Sequence, residues 1–376
     1  MYSGHHGGSS NQGYIFICNR HVIQLLALAD RVTLSLNQLP VAAMNTFRLI
    51  LSIATSMSAS WSLADDAPQA DATALRSAVA RGLDVVTKAA GRYPGNQSCF
   101  SCHHQTLPML AAVTARSHGL AIDERLLPAQ TAFTHASFVD DLDDLRAGRR
   151  IGGRAMTVGY GLWALRLADA PADETTEAMV AFLLKTQHDD GHWSRQTTRP
   201  PLEDSNVTCT TLAIYGLQKY ASESQRTETD SAIAKATHWL DEAKLESQED
   251  RCARLWSLAL LGAAADRLAT GREMVLAAQR EDGGWAQLDG MESDAYATGQ
   301  TLWIVQATGL DVTEAAYQRG VKYLLGTQRD DGSWLVRTRS KPVQTYFDNG
   351  DPHGKDQFIS TPATCWAVAA LVAAIK

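Results

Sequence analysis

Two cysteines and two histidines lie close together near residue 100 and are the residues best suited to chemistry: Cys99, Cys102, His103 and His104. The spacing C-x-x-C-H is that of c-type haem attachment, in which two thiols bond to the haem vinyl groups and the histidine binds the iron. The second ligand of the iron is not clearly marked, and His104 and Met109 are the candidates. The sequence therefore predicts a covalent haem held by Cys99, Cys102 and His103.

Two alternatives remain open for the same residues. Thiolate and imidazole are ligands that Zn²⁺ prefers, so Cys99, Cys102, His103 and His104 are also candidates for a zinc site. Cys99 and Cys102 are close enough in sequence to form a short disulfide, a bond that persists in oxidising compartments.

Helical segments of two kinds position these residues. Segments of the first kind are amphipathic, with apolar residues along one stripe, as at Leu75, Val79, Leu83 and Val86. Segments of the second kind are apolar almost all round and must be enclosed by other helices. They span 157–168, 210–220, 254–265, 298–310 and 361–375. Runs that alternate polar and apolar residues between turns are absent from the sequence, which therefore predicts an all-α protein.

The two kinds of helix alternate along the chain as a repeat. Aromatic residues mark the enclosed helices at intervals of 41 to 63 residues, namely Trp163, Tyr215, Trp256, Trp303 and Trp366. With a first pair over residues 71–120, the sequence predicts six pairs of an outer and an inner helix. Six pairs can close into a ring around a barrel of inner helices, which buries both end repeats. The aromatic residues either line an apolar central pocket or belong to the packed core.

Three predicted outer helices end in the same segment, Q-x-D/E-D-G-x-W, at 187–193, 279–285 and 328–334. Asp-Gly stops a helix because glycine adopts the left-handed backbone conformation, and the tryptophan can cover the joint. These segments resemble the QW motif of squalene-hopene cyclases and related triterpene cyclases, whose fold is shared by protein prenyltransferase β subunits. The resemblance covers residues 71–376 and implies an α6/α6 toroid, a barrel of six inner helices ringed by six outer helices. We expect Trp193, Trp285 and Trp334 to lie buried at the joints between neighbouring outer helices.

In this topology each outer helix ends, and the next inner helix begins, at one end of the barrel. The predicted haem residues therefore share that mouth with two carboxylates that begin inner helices, Asp204 and Asp294. Both are candidates for catalysis, with N-capping of a helix as the alternative. The cysteines within the apolar helices are expected to be core residues: Cys209, Cys252 and Cys365.

A second acidic segment matches a catalytic string of the triterpene cyclases. In that family D-x-D-D supplies the acid that protonates an alkene, and the match makes Asp141, Asp143 and Asp144 catalytic candidates. The setting differs from the family, because the segment is placed at the end of an outer helix and is flanked by arginines. A solvated charged face is therefore the alternative. The chain is long enough for one toroid, whereas the squalene cyclases need two. In the prenyltransferases a zinc-binding cysteine stands two residues after the aspartate, and here Tyr296 occupies that position after Asp294.

The amino-acid composition limits which kinds of molecule the protein is expected to bind. Of the 376 residues, 45% are hydrophobic and 20% are charged, which is typical of a globular protein. The net charge is −7 and no dense stripe of lysine and arginine occurs, so nucleic acid is not an expected partner. We expect residues 65–376 to form one toroid domain that binds an apolar small molecule or lipid.

The first 64 residues have a different character. Residues 1–43 open with a stretch rich in His, Gly and Ser and show no periodicity, so we interpret them as a disordered or mis-assigned extension before a true start at Met44. Residues 44–64 are similar to a signal peptide, with Arg48 ahead of an apolar run and small residues at 62–64. The alternative of an anchor helix would need about 20 apolar residues. We therefore predict export, into a periplasm or beyond it, which is where haem is attached.

Three functions are compatible with these patterns. The leading one is an exported toroid, similar to squalene cyclases and prenyltransferases, that binds or acts on an apolar isoprenoid-type ligand beside a Cys/His cofactor site. The second is a non-enzymatic c-type haem protein for redox or binding on the same scaffold. The third is a carbohydrate-active toroid lyase, which a polar, groove-shaped cavity would favour.

Overall fold

The computed structural model describes residues 69–342 and 345–375, and the predicted extension and signal peptide lie outside these ranges. Within them the chain forms thirteen α-helices and no β-strand. In chain order these are α1 (Ala72–Arg92), α2 (Leu107–Ser117), α3 (Leu126–Val139), α4 (Leu142–Ala147), α5 (Arg154–Leu167), α6 (Glu174–Thr186), α7 (Asn206–Tyr220), α8 (Arg226–Glu242), α9 (Gln248–Leu260), α10 (Ala265–Leu276), α11 (Ala295–Ala307), α12 (Ala315–Thr327) and α13 (Gln357–Ala373).

The helices form a closed double ring. The inner helices are α2, α5, α7, α9, α11 and α13; each packs against the next, and α13 packs against α2. The outer helices are α1, α3, α6, α8, α10 and α12, which turn their apolar stripes inward, and α4 is a short helix between α3 and α5. The predicted α6/α6 toroid is confirmed. None of the helices described is long and apolar enough to cross a lipid bilayer.

The three Gln-to-Trp segments join neighbouring outer helices by the same set of hydrogen bonds. In the last of them Gln328 Nε2 donates to the carbonyls of Gly332 in its own loop, at 2.9 Å, and of Ala78 on α1, at 2.8 Å. Trp334 is buried, and its Nε1 donates to the carbonyl of Leu324 at 2.8 Å. The joint therefore closes the ring between α12 and α1. The other two segments repeat these bonds, from Gln187 to Gly191 and Ala232 and from Gln279 to Gly283 and Ala316.

The glycine of the last joint is required by its backbone. Gly332 has φ +88°, and a Cβ built there would lie 2.7 Å from the carbonyl oxygen of Arg81. Gly332→Ala should therefore lower the free energy of unfolding by about 1 to 3 kcal/mol. Gly326→Ala, in α12 with nothing within 4 Å, is the matched control and should raise it by about 0.5 to 1 kcal/mol. Urea unfolding measures both, and equal effects would contradict the steric argument.

The aromatic residues of the inner helices pack against one another inside the barrel. The ring of Trp163 lies 4.8 Å from Trp256, 6.1 Å from Trp366 and 6.2 Å from Tyr215, and Trp303 lies 5.5 Å from Trp366. All five are the ninth or tenth residue of their helices, about 13 Å from the mouth. Of the two alternatives for these residues, the structure favours packing against one another: Trp163 and Trp366 are buried in the core, and Tyr215, Trp256 and Trp303 are partly buried against it.

Candidate functional site

A single π-helical turn, Cys102–Thr106, leads into the first inner helix and carries two of the predicted haem residues, Cys102 and His103, while Cys99 precedes it. The turn is fixed at both ends. The backbone N–H of Ser101 donates to Gln105 Oε1 at 2.8 Å, and Thr106 Oγ1 donates to the carbonyl of Tyr160 on α5 at 2.9 Å. Turns of this kind are common at functional sites because they displace side chains from the regular helical positions.

Both cysteines of the C-x-x-C-H segment and His103 line one cavity of about 300 Å³, called here the cysteine cavity. Cys99 is exposed, Cys102 is buried, and both are free thiols, so the structure does not join them in a disulfide. Burial raises the pKa of the Cys102 thiol, which is therefore protonated at neutral pH. The wall of the cavity is mixed: Phe100, Phe138, Ile151 and Met156 supply apolar surface, and polar residues that include Asp141, Thr157, Arg199 and Glu203 supply the rest.

His103 is held in the form that binds a metal through one ring nitrogen. Its Nδ1 lies 2.5 Å from Ser101 Oγ. Burial, with a smaller contribution from Arg199, lowers the pKa of His103, so the imidazole is neutral at neutral pH. Its Nε2 also lies 3.3 Å from the same Ser101 Oγ. In a neutral imidazole the ring nitrogen that carries no proton can bind a metal.

Neither candidate for the second iron ligand faces this cavity. His104 is fully buried, stacks on Tyr93 with 4.5 Å between ring centroids, and forms a hydrogen bond through Nε2 with Asn349. Met109 is fully buried in a core cluster. Met156, in the first turn of α5, lines the cysteine cavity instead. The sequence analysis missed it because a methionine in an apolar helix is usually a core residue.

A second cavity, of about 350 Å³, adjoins the first. The two share four lining residues: Cys102, His103, Arg199 and Glu203. We call the second the basic cavity, because Arg199, Lys341 and Lys355 line it together with apolar side chains. The sequence analysis did not select Arg199 and Glu203, since both belong to the loop before α7 and carry no motif.

Asp204 and Asp294 lie at the same end of the barrel as the cysteine segment, in different roles. Asp294 caps α11, accepting from the N–H of Ala297 at 2.9 Å, and burial raises its pKa to about 6. Ser205 takes the capping role considered for Asp204, and Asp204 lies 3.4 Å from Arg195 Nε. Neither carboxylate lines the cysteine cavity or the basic cavity.

The D-x-D-D segment is divided between the site and the surface. It begins the short helix α4 and does not end an outer helix, which corrects the expectation from sequence. Asp141 lies at the rim of the cysteine cavity. Asp143 is fully exposed, 3.8 Å from Arg146, and Asp144 lies 3.5 Å from Arg149. Asp143 and Asp144 therefore form the solvated charged face considered as the alternative, away from the other candidate residues.

Glu249 is a buried carboxyl that the sequence analysis missed. It lies in the first turn of α9 and accepts hydrogen bonds from Thr208 Oγ1, Tyr296 OH and Gln300 Nε2, at 2.9, 3.0 and 2.8 Å. Burial raises its pKa to about 7. The adjoining cavity, of about 10 Å³, has room for about one water molecule. An acidic pair ahead of the apolar run 254–265 was the available signal.

The zinc alternative lacks a prearranged set of ligands. Among residues 69–342 and 345–375, no three His, Cys, Asp or Glu side chains are placed to hold a metal ion. The hydrogen bond with Asn349 also occupies the Nε2 of His104, the fourth predicted ligand.

Comparison with known proteins identifies the architecture. No protein-family model and no curated protein matches the sequence. A type II terpene cyclase from Scytonema, solved with its product merosterolic acid A, has a TM-score of 0.52 and 15% identity over 81% of this chain and 98% of that chain. A glycosidase has a TM-score of 0.51 and 11% identity over 79% of this chain and 98% of that chain. A protein from Actinoplanes has a TM-score of 0.50 and 17% identity, covering 81% of this chain and 100% of that chain. At these identities the likeness extends to the fold, and the chain therefore has the α/α toroid architecture found in terpene cyclases and glycosidases.

Proposed function

We propose that the protein is a c-type haem protein built on an α/α toroid, with the haem bound in the cysteine cavity. The observation that carries the proposal is that both thiols and the histidine of C-x-x-C-H line one cavity. In attachment each thiol adds across one vinyl group, the sulfur bonding to one carbon and the thiol hydrogen passing to the other. The addition consumes no oxidant, and the free thiols Cys99 and Cys102 are in the form that it requires.

The remaining residues of the cavity fit the same cofactor. His103 is neutral, and Ser101 engages its Nδ1, which suits an iron ligand. Met156 offers a thioether in the same cavity and would be the second ligand. Phe100, Phe138 and Ile151 supply apolar surface against which the haem would pack. When bound, the haem would supply one-electron redox chemistry, and these residues would hold and orient it.

The proposal includes export of the protein from the cytoplasm. Covalent haem attachment takes place outside the cytoplasm, and residues 44–64 are similar to the signal peptide that would direct the chain there.

A second role, binding of an apolar small molecule, is supported by the basic cavity. Its volume of about 350 Å³ lies within the usual range for small-molecule sites, and Leu202, Phe358 and Ile359 supply apolar walls. An isoprenoid-type ligand, the leading expectation from sequence, would contact Cys102 and His103 from this side. The carbohydrate lyase stays a prediction from the sequence.

Haem attachment is tested by expressing the chain from Met44 with haem-maturation factors and staining a denaturing gel for haem. The wild type should give a stained band, because thioether bonds survive denaturation. The double variant Cys99→Ala/Cys102→Ala should lose the stain completely. His103→Gln should keep attached haem and change its absorption spectrum, because axial ligation is separate from the thioethers.

Cys209→Ala is the matched control, because this cysteine is fully buried in α7 and should leave the stain unchanged. A colourless wild-type protein from a competent host would overturn the haem proposal. Stoichiometric zinc in that protein would instead support the metal alternative at Cys99, Cys102 and His103.

A further inference from the structure

The basic cavity carries positive charge in a protein whose net charge is negative. Three cationic side chains line it, Arg199, Lys341 and Lys355, against one carboxylate, Glu203. Glu203 is already engaged, lying 3.3 Å from Arg199 Nη1 and accepting a hydrogen bond from Thr197. The whole chain has a net charge of −7. The surplus of cations at this mouth is therefore local and would attract an anion.

Arg199 provides a donor that the described protein atoms leave unused. Its Nε is buried and has no hydrogen-bond acceptor among the residues described. A buried donor without a partner costs free energy, and an anionic oxygen bound beside it would remove that cost. The guanidinium therefore marks where an anionic headgroup would bind.

The inner wall of the cavity is apolar. Leu202 and Ile359 are buried, with 7% and 3% of their surface exposed. The ring of Phe358 lies 5.5 Å from that of His103 in an edge-on arrangement, so the apolar wall extends to the haem-binding segment. An apolar chain lying here would contact Leu202, Phe358 and Ile359, and its headgroup would lie beside Arg199 and the lysines that line the same cavity.

We propose that the basic cavity binds an amphiphilic anion, an apolar chain with a carboxylate or phosphate headgroup, with Arg199 and Lys355 contacting the headgroup. This inference rests on the proposed small-molecule role of the cavity and defines the chemical class of its ligand. Lys355 is exposed, so it can reach a headgroup without prior rearrangement of the core. Charge would fix the position of the headgroup, since the apolar side chains Leu202, Phe358 and Ile359 offer a carboxylate or phosphate no hydrogen-bond partner.

Calorimetric titration of the complete exported protein with three ligands of one chain length tests the proposal. Dodecanoate, dodecyl phosphate and dodecanol are compared below their micelle-forming concentrations. We expect one or both anions to bind about tenfold more tightly than the alcohol, because a hydrogen bond from the buried Nε of Arg199 to an anionic oxygen is stronger than one to a hydroxyl, and only an anion is attracted by the lysines. The ratio of the two anions identifies the headgroup that the site prefers.

Two surface variants locate the binding. Lys355→Gln should weaken binding of the preferred anion about 2- to 5-fold and leave dodecanol unchanged. Lys322→Gln, on the exposed face of α12, should change neither and is the control. Raising the salt concentration should weaken anion binding and not alcohol binding.

The outcomes separate this inference from the proposed function. Equal affinity for dodecanol and both anions overturns the anion preference and leaves the small-molecule role in place. Absence of binding by all three ligands overturns both. Because Cys102 and His103 line both cavities, haem staining is recorded for the same samples, and a stained protein without anion preference counts against this inference and not against the haem proposal.

Discussion

Replacing Trp334 by alanine should lower the free energy of unfolding by about 3 to 5 kcal/mol, because the ring is removed from a site that cannot collapse around the space left. Trp334 is 1% exposed. Its Nε1 donates to the carbonyl of Leu324 at 2.8 Å, a hydrogen bond that the alanine variant also loses, whereas the bond from its backbone N–H to Thr364 Oγ1 is kept. Urea denaturation followed by circular dichroism measures the change.

Two further variants separate packing from general disturbance. Trp334→Phe keeps most of the packing and loses the hydrogen bond, so it should cost less than the alanine variant. Met274→Ala, at a side chain 49% exposed, should change stability by less than about 0.5 kcal/mol. Because Trp193 and Trp285 make the same bonds with Leu183 and Val275, their alanine variants should cost similar amounts. A loss below 1 kcal/mol at Trp334 would contradict the role assigned to the joint.

The second large effect concerns Glu249 and depends on pH. Burial raises the pKa of this carboxyl from 4.5 to about 7. A carboxyl whose pKa is higher in the folded state stabilises the fold fully below its unfolded pKa and loses this contribution as the pH rises through 7. The loss amounts to about 3 kcal/mol between these limits. Glu249→Gln removes the titration, so the variant should gain stability relative to the wild type as the pH rises from 5 to 8.

The measurement is the difference in unfolding free energy between wild type and variant at several pH values. Taking the difference cancels the other titrating groups, including Asp294 and Asp351, whose pKa values burial also raises. Glu281→Gln, at an exposed position, should show no such trend. A constant difference from pH 5 to 8 would mean that Glu249 is ionised throughout in the folded protein.

The architecture was predictable because its signals are local and repeated. Helical periodicity gave the two kinds of helix, and each copy of the Gln-to-Trp segment contains both the glycine and the tryptophan that its joint needs. Boundaries were less predictable: α13 begins at Gln357, four residues before the apolar run at 361, because the polar residues of its first turn are buried at the mouth.

The site was predictable only where a motif lies within one segment. Cys99, Cys102 and His103 lie within one short segment, so their spacing alone indicates haem attachment. Arg199 and Met156 come from two separate segments, and only the closed ring brings them to the cavity of that motif, while Glu249 lies in a pocket of its own. His104 shows the converse case, because adjacency to His103 suggested a ligand while its contacts with Tyr93 and Asn349 place it in the core.

Ring closure has a consequence for how the protein unfolds. In an open array of repeats the terminal repeat has one neighbour and can fray at the cost of a single interface. Here α1 packs on both α12 and α13, and Gln318 Oε1 accepts from the backbone N–H of Ala70 ahead of α1. Every helix pair thus has two neighbours, and detaching any pair breaks two interfaces at once. Partly unzipped states are correspondingly disfavoured, and the toroid should melt as one cooperative unit.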